Sequence, residues 1–331
     1  MKWKRNLNEL FRERIWITLK KPLIILTGPT AVGKTDLSIK LAKAVNGEII
    51  SADSMQVYKK MDIGTAKIMP EEMDGIPHYL IDVLDPKEDF HVVLFQKLAK
   101  EAMEEIYAKG KIPIITGGTG FYIQALLYDI AFDNNDGDMA YREELEELAK
   151  EKGAEYLHNM LAEIDEEAAK SIHANNIKRV IRAIEFHKQT GRKISEHNEE
   201  ERQKVSPYNF VYFVLNNDRQ VLYERIEKRV DIMLEQGLVA EVEALYKEGY
   251  DSNLVSMLGL GYKEILAYLK GECTLEEAVY ILKRDTRHFA KRQLTWFKRE
   301  KEITWVNKNE FTSEEEILPF MIEQLKEKGI V

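Results

Sequence analysis

One run constrains this chain more than any other: Gly28-Pro29-Thr30-Ala31-Val32-Gly33-Lys34-Thr35, a G-x-x-x-x-G-K-[ST] pattern. It follows an apolar stretch of strand length, Leu23–Thr27, and precedes a segment with helical spacing, Asp36–Val45. A strand that ends in such a loop and opens into a helix aims backbone N–H groups and the positive end of the helix dipole at one point. The Lys34 ammonium can then reach between phosphates, and the Thr35 hydroxyl can hold Mg²⁺. A turn that merely ends a strand has no need of Gly, Lys and Thr at these spacings. The pattern predicts a ligand with at least two linked phosphates, held by Gly28, Pro29, Thr30, Ala31, Val32, Gly33, Lys34 and Thr35. It leaves open whether the donor is a nucleotide, as in a kinase or ATPase, or another diphosphate.

Further apolar runs at Glu48–Ser51, His78–Val83, Ile112–Thr116 and Phe210–Leu215 alternate with helical patterns such as Phe95–Tyr107. Strands alternating with helices predict an α/β fold, a P-loop NTPase-like parallel sheet flanked by helices. Residues 131–171 break the pattern, with 13 acidic and 4 basic side chains against an overall net charge of −9. Helical spacing at Tyr141–Lys152, Ala154–Leu161, Glu166–Ile172 and Asn176–Lys188, without strand signal, predicts an all-helical insertion over 132–207. The core is expected to comprise 22–131 and 208–331. Its C-terminal part carries helices at Arg219–Gln236, Val239–Lys247, Lys263–Tyr268, Leu275–Leu282 and Arg284–Lys298. Residues 1–21, with seven basic and two acidic side chains, read as an N-terminal extension.

Composition narrows the class. With 44% apolar and 32% charged residues, disorder is excluded as the main state. An excess of 57 Asp+Glu over 48 Lys+Arg confines any nucleic-acid surface to a local patch. A single cysteine, Cys273, allows neither an internal disulfide nor a Cys-rich zinc site. No run approaches the roughly 20 apolar residues of a membrane span. The expectation is a cytoplasmic protein, a monomer without a membrane segment.

Two further turns carry chemistry. Asp53 follows Glu48–Ser51, and a carboxylate at the C-terminal end of a parallel strand faces the ligand crevice. Asp53 is thus a candidate base, although capping a helix or turn is as common a use. Thr119, in Gly117-Gly118-Thr119-Gly120, sets a hydroxyl beside flexible backbone at another strand end, where it can also cap the following helix. Asp53 and Asp82 are possible metal partners. His78, His173 and His288 have no metal-ligand spacing.

Taken together, these blocks resemble the tRNA dimethylallyltransferase (tRNA isopentenyltransferase) family over about residues 22–305. The phosphate loop is followed by Asp53-Ser54-Met55-Gln56-Val57-Tyr58 and Met61-Asp62-Ile63-Gly64-Thr65-Ala66-Lys67. Next come Pro77–Asp82, Gly117–Tyr122, Asn175–Ala183, Leu222–Ile226 with Arg229-Val230-Asp231, Gly259–Glu264 and Thr286–Phe297. Lys59 and Lys298 stand where the family often has Arg.

The resemblance implies transfer of a dimethylallyl group from dimethylallyl diphosphate to the exocyclic amine of the adenosine 3′-adjacent to the anticodon. The tRNAs concerned read codons that begin with U. It implies Mg²⁺ as cofactor, Lys34 and Thr119 in catalysis, and Asp53 as general base. Arg225 and Arg229, four apart and so on one helix face, would complete the diphosphate clamp. The partner is the tRNA anticodon stem-loop, from which the adenine must swing out. Asp53, Ser54, Met55, Gln56 and Thr119 fall on RNA-contact positions, as do Arg142, Lys178, Arg179, Val180, Ile181 and Arg182. So do Gly259, Leu260, Gly261, Tyr262, Lys263 and Glu264, and Arg284, Arg287 and Lys291 lie in a basic segment that suits phosphate contact. Phe121 and Tyr262 are candidates to stack on a base, or core aromatics.

Overall fold

Six strands form one sheet in the order β3-β2-β4-β1-β5-β6: β1 (Pro22–Thr27), β2 (Gly47–Ser51), β3 (His78–Tyr79), β4 (Ile112–Gly117), β5 (Asn209–Asn216) and β6 (Ile303–Asn307). Every pairing is parallel. The computed structural model describes residues 20–132 and 139–331, so most of the expected extension 1–21 lies outside the described residues. The expected α/β sheet flanked by helices is present. Leu23, Ile24, Ile25 and Leu26 of β1 are fully buried, as a central parallel strand covered on both faces requires.

The register brings three loops to one edge. Thr27 of β1 stands beside Gly117 of β4, and Ser51 of β2 beside Thr116. The Thr27 hydroxyl donates to the Gly117 carbonyl (2.6 Å) and the Thr116 hydroxyl to the Leu26 carbonyl (2.9 Å), locking the ends of β1 and β4 together. The phosphate loop, the Asp53 turn and the second glycine turn therefore leave the sheet side by side. Beneath them Ile24, Leu26, Ile49, Ile114 and Phe213 pack with Leu41 of α1 (Lys34–Val45) and with Met321 and Leu325. A Leu→Ala change in this layer would cost about 2–5 kcal/mol.

The structure differs from the periodicity at several points. The expected strand His78–Val83 stops at Tyr79, because Leu80 (φ 64°) and Asp82 (φ 55°) take left-handed backbone that no strand tolerates. Leu275–Leu282 and Arg284–Lys298 are one helix, Leu275–Phe297: Lys283 between them is an ordinary helix former and pairs with Asp231 at 2.6 Å. Strand β6 and the helices Ile194–Arg202 and Ile317–Glu327 were not anticipated from the sequence pattern.

The chain divides into two compact units, one built from the chain up to Leu127 together with Pro207–Val331, the other Tyr128–Ser206. The second unit is helical among its described residues and has its own core of Leu145, Leu157, Leu161, Val180 and Ile184. Buried Asp165 ties it together, accepting from the Ala168 amide (3.0 Å) and from the Ser195 amide (2.9 Å) and hydroxyl (2.7 Å). These donors hold the Asp165 carboxyl below the usual range against the opposing effect of burial.

Candidate active site

The phosphate loop turns out of β1 and into α1 at Gly33, whose φ of 91° favours glycine. Lys34, only partly exposed, folds its ammonium back under the loop and donates to the Gly28 (3.0 Å) and Pro29 (2.9 Å) carbonyls. Withdrawal from water, then the nearby Arg229 charge, pull the ammonium down to about 7, with Asp53 opposing. The loop is braced from far along the chain. Gln293 accepts from the Thr30 amide (2.9 Å) and donates to the Gly118 carbonyl (3.0 Å), so one buried side chain spans both glycine turns. A Cβ on Gly118 would fall 2.1 Å from the Gln293 amide nitrogen, which explains the glycine there.

One wall comes from helix α2 (Arg219–Glu235). Arg225 and Arg229 both face the loop. Arg229 Nη1 lies 3.4 Å from the Thr30 hydroxyl, and an Arg225 Nη2 lies 3.3 Å from the point where a Cβ on Gly33 would stand. Burial and the Arg225 charge push the Arg229 guanidinium down, while Asp53 and Asp36 push it up. A crevice of about 840 Å³ opens here, lined by Thr35, Arg225 and Arg229, by apolar Ile63, Ile68, Ile232 and Met233, and by the carboxylates of Asp36, Asp62 and Glu72. It offers an anionic ligand cations beside apolar side chains.

Asp53 stands on the next turn. Its Oδ1 accepts from the Met55 (2.8 Å) and Gln56 (3.4 Å) amides, fixing the carboxylate within its own turn. Thr119 is brought alongside, its amide donating to the Ala52 carbonyl (3.2 Å). The segment beyond is pinned by Glu241, which accepts from the amides of Asp62 (3.0 Å), Ile63 (2.7 Å) and Gly64 (3.0 Å) and from the Tyr262 hydroxyl (2.7 Å). A Cβ on Gly259 would meet the Met55 methyl at 2.4 Å, and one on Gly64 the Tyr262 ring at 2.6 Å. Met55 thus borders the Gly259–Glu264 block from far away in the chain.

The residues expected to touch RNA do not share one environment. Lys178 and Arg179 are exposed and Arg182 is half-buried. Val180 and Ile181 of the same helix are core residues at 0% and 3% exposure, their side chains packed into the second unit. Tyr262 and Glu264 are likewise buried, so Tyr262 serves as a core latch on Glu241 and not as a stacking platform, while Lys263 is exposed. Arg142 is gripped by buried Glu185 through two 2.8 Å bonds. Arg284 pairs with Asp285 (2.9 Å) and Arg287 with Glu227 (2.6 Å). Lys291 lines a groove of about 390 Å³ with His288, Arg292, Thr295, Trp296 and Arg299. Phe121, 41% exposed, meets the Trp296 ring edge-on at 6.1 Å.

A family model described as IPP transferase matches residues 56–300. The chain belongs to the IPP transferase family. It is 65% identical over 311 residues to the tRNA dimethylallyltransferase of Lachnoclostridium phytofermentans, covering 94% of this chain and 99% of that protein. A solved full-length tRNA isopentenylpyrophosphate transferase from Bacillus halodurans is 46% identical with a TM-score of 0.71, over 94% of this chain and 98% of that one. A eukaryotic dimethylallyltransferase acting on tRNA, also solved, is 32% identical with a TM-score of 0.76, over 87% of this chain and 74% of that one.

In this IPP transferase, Gln293 and Glu241 hold the site together without a local sequence signal for either role. Gln293 falls within Thr286–Phe297, where nothing local marks a glutamine as a bridge. Among the described residues no group of three His, Cys, Asp or Glu side chains could hold a metal ion. No described helix is long and apolar enough to cross a membrane.

Proposed function

We propose that this chain transfers the dimethylallyl group of dimethylallyl diphosphate to the exocyclic amine of the adenosine 3′-adjacent to the anticodon, in tRNAs reading codons that begin with U, and releases diphosphate. The observation that carries the reading is the shared setting of Lys34, Arg229 and Asp53: the Lys34 ammonium feels both the guanidinium and the carboxylate. A cation for a departing diphosphate and a base for an incoming amine therefore stand within electrostatic reach of each other. The names of the relatives support the same chemistry for tRNA.

As the C–O bond of the donor breaks, negative charge gathers on the diphosphate and the allylic carbon becomes cation-like. Lys34, Arg225, Arg229 and the N–H groups at the start of α1 stabilise that charge. The adenine nitrogen gives its lone pair to the carbon, the N–C bond forms, and the proton leaves to Asp53. Because Oδ1 is committed to backbone amides, Oδ2 is the oxygen that takes it. Thr119, beside Ala52, orients the amine or the leaving group.

The residues present fit Mg²⁺. That ion keeps most of its waters and uses few protein ligands, and exposed Thr35, which lines the crevice beside Asp36, can supply one of them. When bound, Mg²⁺ supplies further neutralisation of the diphosphate charge. The exposed cations Lys178, Arg179, Lys263 and Lys291 are the RNA contacts this reading favours, on a monomer working in the cytoplasm.

Labelled dimethylallyl diphosphate, Mg²⁺ and unmodified tRNA provide the test. The label should appear on the anticodon-adjacent adenosine, and Asp53→Ala should lower turnover by about 10²–10⁴ with tRNA affinity little changed. Phosphoryl transfer from ATP in place of prenylation, or an unimpaired Asp53→Ala protein, overturns the reading.

A further inference from the structure

We propose that Lys308, supplied by the C-terminal end of β6, is a diphosphate-binding residue with Glu314 as its resident counterion. The inference rests on the reading that this loop takes a diphosphate. The family match ends at residue 300, so Lys308 lies beyond it.

Topology brings the residue to the site. Strand β6 pairs with β5 from Tyr212↔Ile303 to Asn216↔Asn307, and β5 flanks β1. Lys308 follows Asn307 directly and so emerges at the sheet edge from which the phosphate loop also springs. Its Nζ lies 3.1 Å from the point where a Cβ on Gly33 would stand, and Arg225 Nη2 lies 3.3 Å from the same point. Two cations from distant parts of the chain thus meet over the last loop residue before Lys34. Glycine at this position is what lets them approach.

Their electrostatics are one-sided. The Lys308 side chain is only 7% exposed, yet its one ion-pair partner among the described residues is Glu314, 67% exposed, at 2.6 Å. An ion pair so open to water is worth little by itself. It does not account for a lysine withdrawn from solvent beside an arginine, where like charges repel. Lys308, and more weakly Arg225 and Lys40, hold the Glu314 carboxyl below its usual range, so Glu314 is the anion that this cationic corner has recruited. A diphosphate carries more charge than one carboxylate and can meet Lys34 from within the loop and Arg225, Arg229 and Lys308 from outside it. Glu314, on a segment linked to Lys308 by a short turn, is then the resident counterion that the diphosphate displaces.

Inorganic pyrophosphate, titrated calorimetrically into the full-length protein, tests this. Lys308→Met should weaken pyrophosphate binding about ten- to a hundredfold and raise KM for dimethylallyl diphosphate more than it lowers kcat, while Lys308→Arg retains most of the affinity. Glu314→Gln, which frees the cation, should tighten binding severalfold, and that gain should vanish in the Lys308→Met/Glu314→Gln double variant. A purely structural role predicts lower melting temperatures with unchanged pyrophosphate affinity, and that result overturns the proposal. If Lys308→Met does not fold, unchanged affinity in Glu314→Gln overturns it equally. Lys34→Met separates the two levels: should it bind pyrophosphate as the parent does, the diphosphate reading fails; should it lose binding while Lys308→Met does not, only the role of Lys308 falls.

Discussion

Lys67 and Lys34 both draw their ammonium groups away from water within the α/β unit, and the protein answers them in opposite ways. Lys67 has a side chain 2% exposed and donates to the Asp62 and Asp82 carboxylates and to the Tyr58 carbonyl (2.7 Å). Asp82, one of its partners, has left-handed backbone at φ 55°. Lys34 is bonded to two carbonyls and to no carboxylate among the described residues, with the Arg229 charge nearby. A desolvated cation with neutral partners is poorly compensated. Lys67 is thereby a fastener whose electrostatics are complete, whereas Lys34 retains the capacity to gain from an anion. The difference shows how one residue type serves structure in one loop and chemistry in another.

Substituting each lysine by methionine is the strongest way to break that contrast. Lys34→Met should lower turnover by about 10²–10³ in a protein that melts normally, since it removes a charge opposed to the leaving group. Lys67→Met should do the reverse, costing about 2–3 kcal/mol of stability with turnover per folded molecule within a fewfold of the parent. The usual cost of breaking a buried pair is discounted because Asp62 and Asp82 are about half exposed. Urea unfolding and prenyl transfer, run on both variants, decide it: equal stability losses with equal activities would erase the distinction.

A weaker effect should come from Gln293, the neutral bridge between the two glycine turns. Gln293→Leu strands the Thr30 amide and the Gly118 carbonyl, at about 1–3 kcal/mol for each group left unpaired. It should also lower kcat/KM about tenfold, because Thr119 follows Gly118 and loses its fixed distance from the loop. Gln293→Glu keeps the acceptor for Thr30 and should fall between the two. A variant that is destabilised yet fully active would show that the bridge holds the fold and not the site.

Gln293 also marks where sequence reading stops. The phosphate loop was legible because its donors are contiguous and their spacing is itself the mechanism, and β1, β2, β4 and β5 were legible as apolar runs of strand length. Gln293 meets Thr30 from 263 positions away, and no local pattern encodes such a contact. Lys308 and Glu241 escaped for the same reason. β6 is a short run, Ile303-Thr304-Trp305-Val306, between charged segments, too brief to separate from a loop. The RNA-contact blocks named neighbourhoods without naming faces, so Val180, Ile181 and Tyr262, which are interior, were grouped with Lys178 and Lys263, which are not. Helical periodicity places Val180 and Ile181 on the stripe that packs into the core of their unit, whereas only the fold shows that Tyr262 closes on Glu241.

The smallest expected effect sharpens the comparison through protons. With its ammonium pulled down to about 7 from 10.5, Lys34 in the folded chain releases a proton that the unfolded chain still holds between those values. Stability therefore rises with pH across that window, and the Lys34 contribution is flat below it. Ligand binding runs the other way: a diphosphate favours the ammonium, so at pH 8 its binding should draw close to one proton onto Lys34, and at pH 6 almost none. Calorimetric titration of pyrophosphate in buffers of different ionisation enthalpy measures this uptake. Lys34→Arg, whose guanidinium does not titrate, reports the protons that pyrophosphate itself exchanges. Affinity should accordingly weaken severalfold from pH 7 to pH 8 in the parent and in Lys67→Met, and by less in Lys34→Arg. Equal uptake in all three proteins would mean that the Lys34 ammonium is charged throughout, and that its neutral partners compensate it as fully as the carboxylates compensate Lys67.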